Sequence, residues 1–433
     1  MGILNEDLVK TISKLKEEPE WMLEFRLNSL RNFFIQENPS FGPEINLDFN
    51  NINYYKKAGK STSNWKNVSC NIRNTFKELG VIDAEEKYLD GVSNQVESEV
   101  IYHKNKSAIE EKGVIFLSTD DALKQYPEIF KKYFNNLVKY DENKFTALNG
   151  ALWSGGTFIY IPPYTKLDRP LQSYFRIETA SLGQFERTII IVDEGAELSY
   201  IEGCTAISYS ENALHAGVVE IYVGKNAKCK YSTIQNWSKD VYNLVTKRAI
   251  VEENGLMEWI DGNIGSKVTM KYPSCILKGD NSKGNSISIA YAKDGQSLDA
   301  GAKMIHIGAN TKSNIVSKSI AELGGISNYR GTVKICKSAI NSEAKVKCDT
   351  ILLDDISISD TYPKNIVLNE SSILEHEASV SKVSAEKLQF LKQKGLSESA
   401  AKELIILGFC KDFKKELPME YAVELNRLIK QDC

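Results

Sequence analysis

The stretch DEGAELSYI at residues 193–201 decides the fold, because related stretches follow it at a nearly regular interval. GKNAKCKYS at 224–232 and ENGLMEWI at 253–260 lie about 30 residues apart and repeat its order of a polar turn followed by a strand. Such weak self-similarity is typical of the stacked coils of a β-helix or solenoid. A sandwich of many short strands is the alternative, although the runs lack the clear hairpin signals that would favour it.

Outward from this stretch, short β-branched and aromatic runs cover more than 200 residues, beginning near Gly156. The first third of the chain instead has helical spacing of apolar residues. After Ser384, two segments have a serine at a helix N-cap and end at Gly395 and Gly408, and a last helix is predicted at 419–429. We therefore predict a helical or mixed N-terminal domain at 1–150, a β-helix core at 151–375 and a helical C-terminal domain at 376–433.

The composition excludes several classes of protein. The chain has 433 residues, of which 42% are hydrophobic, and 54 basic residues stand against 57 acidic ones for a net charge of -3. A large core and no long run of one charge argue against nucleic acid or a membrane as the partner. Without a basic and apolar leader, or a run of roughly 20 apolar residues, we expect a soluble, cytoplasmic protein.

Eight cysteines occur without any C-x-x-C pair. This spacing excludes a zinc ribbon and a ferredoxin-type cluster motif. In a reducing compartment most of these cysteines are expected to be small buried apolar residues, which leaves one or two to be reactive.

The stretch SSILEHEASVSK at 371–382 places three potential metal ligands in a row. In a strand, Glu375 and Glu377 would project from one face and His376 from the other. Taken alone, the tripeptide is most simply a solvated strand edge. Cys348, however, precedes it by about one coil of the repeat, so that stacking would place the two segments side by side. A thiolate, an imidazole and carboxylates together suit iron better than calcium or magnesium.

A second polar series follows the predicted strands. Gln235 would share a strand face with Thr233 and Trp237. Arg176 would share one with Tyr174 and Glu178, and Lys247 one with Val245 and Ala249. If these faces point into the coil they line a polar channel, and if they point outward they form a solvated sheet; the pattern leaves both interpretations open. Cys204 follows an aromatic strand and a glycine, so we place it where a strand ends at the surface.

The order of several motifs along the chain resembles the SufB/SufD family of the Suf iron–sulfur assembly system, and its SufB scaffold branch in particular. The motifs include SYFRIE, GQFERTIIIVDEGAELSYIEGCTA, YSTIQNW, YNLVTKRA, KCDT, LEHEAS and ELIILGFC, and the resemblance extends over essentially the whole chain. It implies a right-handed parallel β-helix core flanked by helical domains. It also implies docking of the C-terminal helices on a SufC-type ATPase, pairing with SufD or a second SufB, and sulfur supply by a cysteine desulfurase with its carrier.

The resemblance assigns roles to individual residues. It implies that Cys204 accepts persulfide sulfur and that a transient 4Fe–4S or 2Fe–2S cluster is built at Cys348, with Glu377 favoured as a direct ligand beside Glu375 and His376. It further implies an inner passage between the two cysteines, lined by Arg176, Gln235, Trp237 and Lys247. Where family members commonly have asparagine in this passage, the chain has Glu178.

The implied chemistry requires reactive thiolates. We expect lowered pKa values at both cysteines, supplied by Lys247 or Arg176. A reduced flavin is a further cofactor that the resemblance suggests, but no motif marks its site. The chain lacks a G-x-x-x-x-G-K-[ST] loop, so ATP hydrolysis is expected from a partner and the chain is not expected to be an enzyme itself. The rival interpretations are a polysaccharide-acting β-helix enzyme and a SufD-like structural partner.

Overall fold

The computed structural model describes residues 3–78, 81–206 and 212–417. The predicted last helix, at 419–429, lies outside the described residues. The helices are α1 Glu6–Leu15, α2 Glu20–Ile35, α3 Cys70–Glu78, α4 Val81–Tyr88, α5 Ser107–Glu111, α6 Thr119–Gln125, α7 Pro127–Tyr133, α8 Lys144–Leu152, α9 Ala385–Gln393, α10 Glu398–Phe409 and α11 Lys411–Glu416, with 3-10 turns at Phe49–Asn51 and Trp65–Asn67.

The strands occupy most of the remaining chain. They are β1 Gly91–Val96, β2 Glu99–Asn105, β3 Ile115–Ser118, β4 Thr157–Ile161, β5 Leu171–Ile177, β6 Gly183–Gln184, β7 Arg187–Val192, β8 Glu197–Ala206, β9 Ala213–His215, β10 Val218–Val223, β11 Lys228–Trp237, β12 Val241–Val251, β13 Leu256–Gly265, β14 Val268–Lys271, β15 Ser274–Leu277, β16 Lys283–Ala292, β17 Ser297–Ala300, β18 Lys303–His306, β19 Lys312–Ala321, β20 Ile326–Ile335, β21 Glu343–Leu352, β22 Thr361–Val367 and β23 Ile373–Lys382.

Two sheets face each other as the walls of a solenoid. The first sheet has the order β2-β1-β5-β8-β11-β13-β16-β19-β21-β23, and the second includes β20-β18-β15-β12-β10-β7-β4-β3. Neighbouring strands are parallel except for the pairs β1/β2 and β3/β4. Because antiparallel pairing would dominate a sandwich, the parallel ladders exclude that alternative. The fold is a mainly β, parallel solenoid of about eight turns with helices at both ends, as predicted.

The repeated polar turns are the corners of the coils. Asn226, Asn254, Asn281, Asn310 and Asn341 all adopt a left-handed backbone with φ between 54° and 58°. Asparagine tolerates this conformation better than most residues because its short side chain can hydrogen-bond locally. In this ladder the Asn254 side chain donates to that of Asn226 at 3.0 Å. The motif found in the sequence therefore sets the coil period.

Helices cover the outer faces of both sheets. Ile406 of α10 and Phe413 of α11 lie in one buried cluster with Ile234 and Ile260 of the first sheet. On the second sheet, Phe145 of α8 is buried with residues of β12 and β14. These apolar contacts attach the helices to the sheets, while a further apolar cluster joins inward-facing residues of both sheets.

The strands extend beyond the segment in which they were predicted. β1 and β2, which precede residue 151, join the first sheet. β23 continues to Lys382, so the predicted boundary between residues 375 and 376 falls inside a strand. Parallel pairing with β21 holds this whole stretch extended until Ser384 caps α9. None of the described helices is long and apolar enough to span a membrane.

Candidate functional site

Cys204 lies inside the solenoid rather than at a surface. It is on β8 and only 2% exposed, in a cluster with Phe175 and Trp237. Its Sγ donates to Glu202 Oε1 at 3.9 Å and accepts from Gln235 Nε2 at 3.9 Å. The strand-end surface position that we predicted for Cys204 is therefore wrong, because β8 continues to residue 206 and is paired on both sides.

Glu202 is the charged centre of this inner site. Its carboxylate accepts from Lys247 Nζ at 3.2 Å, from Thr233 Oγ1 at 3.4 Å and from the Tyr231 hydroxyl. Burial would raise the pKa of Glu202, but the Lys247 ammonium and the Tyr231 hydroxyl outweigh it and the pKa is lowered. In turn Glu202, against the effect of burial, raises the pKa of Lys247. The result is a fully buried ion pair beside the thiol.

A hydrogen-bonded chain continues from the other side of Cys204. Gln235 Oε1 accepts from Asn243 Nδ2 at 2.8 Å, and Asn243 Oδ1 lies 2.8 Å from Nδ1 of His215. His215 Nε2 lies 2.8 Å from a carboxylate oxygen of Glu186, and its ring centroid is 4.6 Å from that of Trp237. The lumen near Cys204 is therefore polar and internally hydrogen-bonded. Of the two interpretations that the sequence left open for Gln235, Trp237 and Lys247, the inward-facing one is correct.

Arg176 is not part of this inner site. In register, Phe175 pairs with Cys204, so that Arg176 on the next position projects from the opposite face of the sheet. Its Nε donates to Glu178 Oε1 at 2.8 Å, and its neighbour Tyr174 belongs to the outer cluster under the C-terminal helices. The structure thus places Arg176 and Glu178 outside the lumen, in disagreement with the inner lining predicted for Arg176.

Both cysteines are expected as neutral thiols in this structure. Burial raises the pKa of Cys204 well above its usual range, and Glu202 and Glu186 add to that effect. Burial also raises the pKa of Cys348, to about 12. The lowered values predicted from the sequence are therefore wrong for this state, because Lys247 is engaged by Glu202 and Arg176 is on the other face.

Cys348 is joined by the histidine of the E-H-E run. Cys348 is on β21 and 4% exposed, and its Sγ lies 3.8 Å from Nε2 of His376 on β23. The other ring nitrogen of His376 is 3.2 Å from the side-chain nitrogen of Asn365. Burial lowers the pKa of His376, which favours the neutral imidazole that can bind a metal. Stacking thus brings the two segments together as predicted.

The two glutamates of the run project away from Cys348. Glu375 is paired with Lys345 at 3.2 Å and Glu377 with Lys347 at 3.8 Å, and both carboxylates are more than half exposed. The alternation of faces predicted for the run is present. Within residues 3–78, 81–206 and 212–417 there is no group of three or more Cys, His, Asp or Glu residues placed to hold a metal. A single chain therefore offers the pair Cys348 and His376 at this position.

A polar track on the inner face of the first sheet connects the surroundings of the two cysteines. One register row crosses six adjacent strands without an apolar residue. All six side chains are buried, and the hydroxyls of two neighbouring serines are 3.1 Å apart. In order along the sheet the residues are Glu202, Thr233, Asp261, Ser288, Ser317 and Cys348.

Three charged or titratable residues of the inner site, Glu202, His215 and Lys271, were not predicted from the sequence, in contrast to Lys247. Glu202 shares a strand face with Cys204 two positions later, and this spacing was the available signal. His215 and Lys271 have no such signal, because they reach the site from other strands. Lys271 binds Asp261 at 3.1 Å and donates to Gln235 at 3.1 Å.

Comparison with known proteins gives consistent matches over the whole fold. The model of the SUF system FeS cluster assembly SufBD core domain matches residues 175–409, and that of the SufBD protein N-terminal region matches residues 15–173. Iron-sulfur cluster assembly SufBD family proteins of Staphylococcus saprophyticus, Staphylococcus epidermidis and Staphylococcus aureus are each 55% identical to this chain over 429 residues. The aligned region covers 99% of this chain and 92% of each relative.

Proposed function

The chain belongs to the SufBD family of iron–sulfur cluster assembly proteins, and from that premise we propose that it is the scaffold on which the cluster is built. In this proposal Cys204 accepts persulfide sulfur. The sulfur then passes through the lumen to Cys348, where a labile 4Fe–4S or 2Fe–2S cluster is assembled as cargo and then transferred to recipient proteins.

The observation that carries the proposal is the polar track between the two cysteines. Five strand-to-strand steps of about 4.8 Å separate β8 from β21, or about 24 Å in all. Buried polar groups are costly unless they are satisfied, so a solenoid that needed only stability would fill this row with aliphatic side chains. A row of hydroxyl and carboxylate groups instead offers hydrogen bonds to a migrating anionic sulfur species.

The first step needs a base because the Cys204 thiol is neutral. In the proposed transfer, a bond forms between Cys204 Sγ and the outer sulfur of the donor persulfide while the donor S–S bond breaks. The proton leaves Cys204 towards Glu202, and the donor sulfur departs as a thiolate. No net oxidation occurs, so this step requires no electron carrier. Lys247 holds Glu202 ionised as the acceptor.

The proposed cluster site at Cys348 is near a sheet edge that another chain could cover. β23 is the last strand of the first sheet, and its residues are mostly exposed. Cys348 and His376 supply two ligands, so the remaining ones would come from a SufD or a second SufB chain across this end, or from a rearrangement that turns Glu375 or Glu377 inward. Exposed Phe390 of α9 and Leu404 of α10 support docking of a SufC-type ATPase on the C-terminal helices.

One observation favours a second candidate function. Because Glu375 and Glu377 point away from Cys348, the chain could serve as the SufD-like structural partner of a complex whose cluster is held elsewhere. The two functions differ in whether Cys348 is required for the chain to hold iron and sulfide.

The test is anaerobic co-expression with the ATPase and the cysteine desulfurase, followed by absorption and Mössbauer spectroscopy. We expect cluster signals in the wild type and their loss in Cys348→Ser, with a reduced yield in His376→Ala. Cys336→Ser is the matched control, because Cys336 is only partly buried and lies outside the polar track. Equal cluster content in wild type and Cys348→Ser, or none in either, would favour the structural-partner function.

A further inference from the structure

A cavity on the outer face of the second sheet is separate from both cysteines. It has a volume of about 380 Å³, within the range of roughly 300–1,000 Å³ that is typical of small-molecule sites. Its floor is formed by β12, β14, β15 and β18, and its walls by the loop after α2 and the start of α8. Phe41 of that loop and Tyr272, in the link between β14 and β15, both line it, with ring centroids 6.1 Å apart.

The floor includes basic and hydroxyl side chains on three neighbouring strands. Parallel register places Arg248, Ser274 and Lys303 side by side. Strands lie about 4.8 Å apart, so the two cations are about 10 Å apart with the Ser274 hydroxyl between them. Ammonium and hydroxyl groups are donors that bind phosphate or carboxylate oxygens.

Lys303 forms no ion pair in the described structure, in contrast to its neighbour Arg248. Arg248 is held by Glu142, which neutralises it. Within the described parts of the chain, no carboxylate lies within ion-pair distance of the Lys303 ammonium, which instead lies 5.3 Å from the centroid of the Tyr272 ring. Burial lowers the pKa of Lys303, the positive charges of Arg248 and Arg330 add to the effect, and the Glu142 carboxylate opposes it in part. A bound anion would relieve this unfavourable environment.

The acidic groups near the cavity do not compensate Lys303. Asp299 accepts from the Tyr272 hydroxyl at 2.8 Å and is bound by Arg330 at 2.9 Å. The remaining carboxylate on the wall is that of Glu37, which is exposed at the rim. The cavity therefore combines a cation that forms no ion pair with two aromatic side chains.

We propose that this cavity binds a nucleotide-sized organic phosphate, with the phosphate on Lys303 and the Ser274 hydroxyl and a planar ring against Phe41 and Tyr272. A phosphate is favoured because its several oxygens can accept from the ammonium and from the hydroxyl at the same time. The aromatic walls add stacking for a planar group. The proposal is independent of the chemistry at Cys204 and Cys348.

The test uses AMP, ribose 5-phosphate and adenosine as probes in calorimetric titrations of the full chain at low salt. We expect AMP to bind saturably, ribose 5-phosphate to bind more weakly and adenosine not to bind. Lys303→Met should weaken AMP binding by at least about tenfold, because it removes the charge and keeps the length of the side chain. Lys334→Met is the matched control, because Lys334 is on β20 of the same sheet but outside the cavity. The affinity of this variant for AMP should equal that of the wild type.

A second variant tests whether the aromatic side chains of the cavity contact the planar ring of the ligand. Phe41 is 45% exposed, so Phe41→Leu should fold normally. We expect it to weaken AMP binding while ribose 5-phosphate binding stays unchanged. The proposal is overturned if the wild type shows no saturable AMP binding, if Lys303→Met binds AMP as tightly as the wild type, or if Phe41→Leu changes neither affinity.

Discussion

Cys348 is a buried thiol whose nearest potential metal ligand is a neutral imidazole. Burial disfavours the thiolate, and no cation contacts the sulfur in the described structure. The Cys348 thiol therefore stays protonated until a metal or a base removes its proton. A metal does this directly, since ligand thiols bind as thiolates. The same burial therefore protects the free thiol from oxidation, and under the proposed function iron would take the place of its proton.

This environment predicts slow alkylation of Cys348 with a strong pH dependence. With a pKa of about 12, only about one thiol in 10⁴ is ionised at pH 8. We expect the rate with iodoacetamide to rise about tenfold per pH unit between pH 7 and pH 10, as measured by mass spectrometry of the Cys348 peptide. Exposed Cys70 in the same sample reports that the reagent is active. A rate that reaches a plateau below pH 9 would contradict the prediction.

At the residue scale, sequence and structure agree on some positions and differ on others. The neighbourhood of Cys348 and His376 follows from one coil of separation, which the sequence shows. The placement of Arg176 does not follow from the sequence. Alternation shows that Arg176 and Phe175 project from opposite faces of the sheet, but it does not show which of these side chains points into the lumen. Only the register with Cys204 decides this.

At the scale of elements, the asparagine corners are the clearest unit of the fold. Each corner asparagine has a positive φ. The backbone N–H of Asn254 donates to the backbone oxygen of Asp280 in the next coil at 2.9 Å. A corner therefore serves two purposes, since it turns the chain and pairs it with its neighbour. A misplaced corner would shift the register of every strand that follows it.

We predict that Asn254→Ala destabilises the protein by about 1–2 kcal/mol, because alanine adopts the left-handed conformation at that cost. The free energy of unfolding is to be measured by urea titration. Asn254→Gly is the matched control, since glycine accepts a positive φ freely and loses only an exposed side-chain hydrogen bond to Asn226. We expect it to lose less than half as much stability. Equal losses would show that the side chain, and not the backbone, matters at this corner.

At the scale of the whole molecule, the two ends of the solenoid differ. The N-terminal end is closed by antiparallel β2 and by helices, whereas β23 ends the first sheet with one unpaired edge among the described strands. Ile373 and Val380 of β23 are 59% and 53% exposed. Solenoids usually need a polar cap at each end, and an open strand edge offers its unpaired backbone N–H and C=O groups to another chain.

We therefore predict that the chain associates through the β23 end. Val380→Lys should raise the dissociation constant of the self-association by at least about tenfold, because it places a charge on the pairing edge. The molar mass is to be measured by light scattering on a size-exclusion column at micromolar concentrations. Thr11→Lys, on the exposed face of α1, is the control for added charge. The same mass for wild type and Val380→Lys would rule out this edge as the interface.

Turn chemistry and alternation are local properties, so the class of fold, the coil period and the pair of segments that meet at Cys348 could be predicted from the sequence. Which faces point into the lumen follows only from the folded chain. The same holds for the ion pair of Glu202 and Lys247, the outward position of Arg176 and the neutral state of both thiols. The physical reason is that burial and register come from strands some 30 residues apart, and a single sequence does not encode their alignment locally.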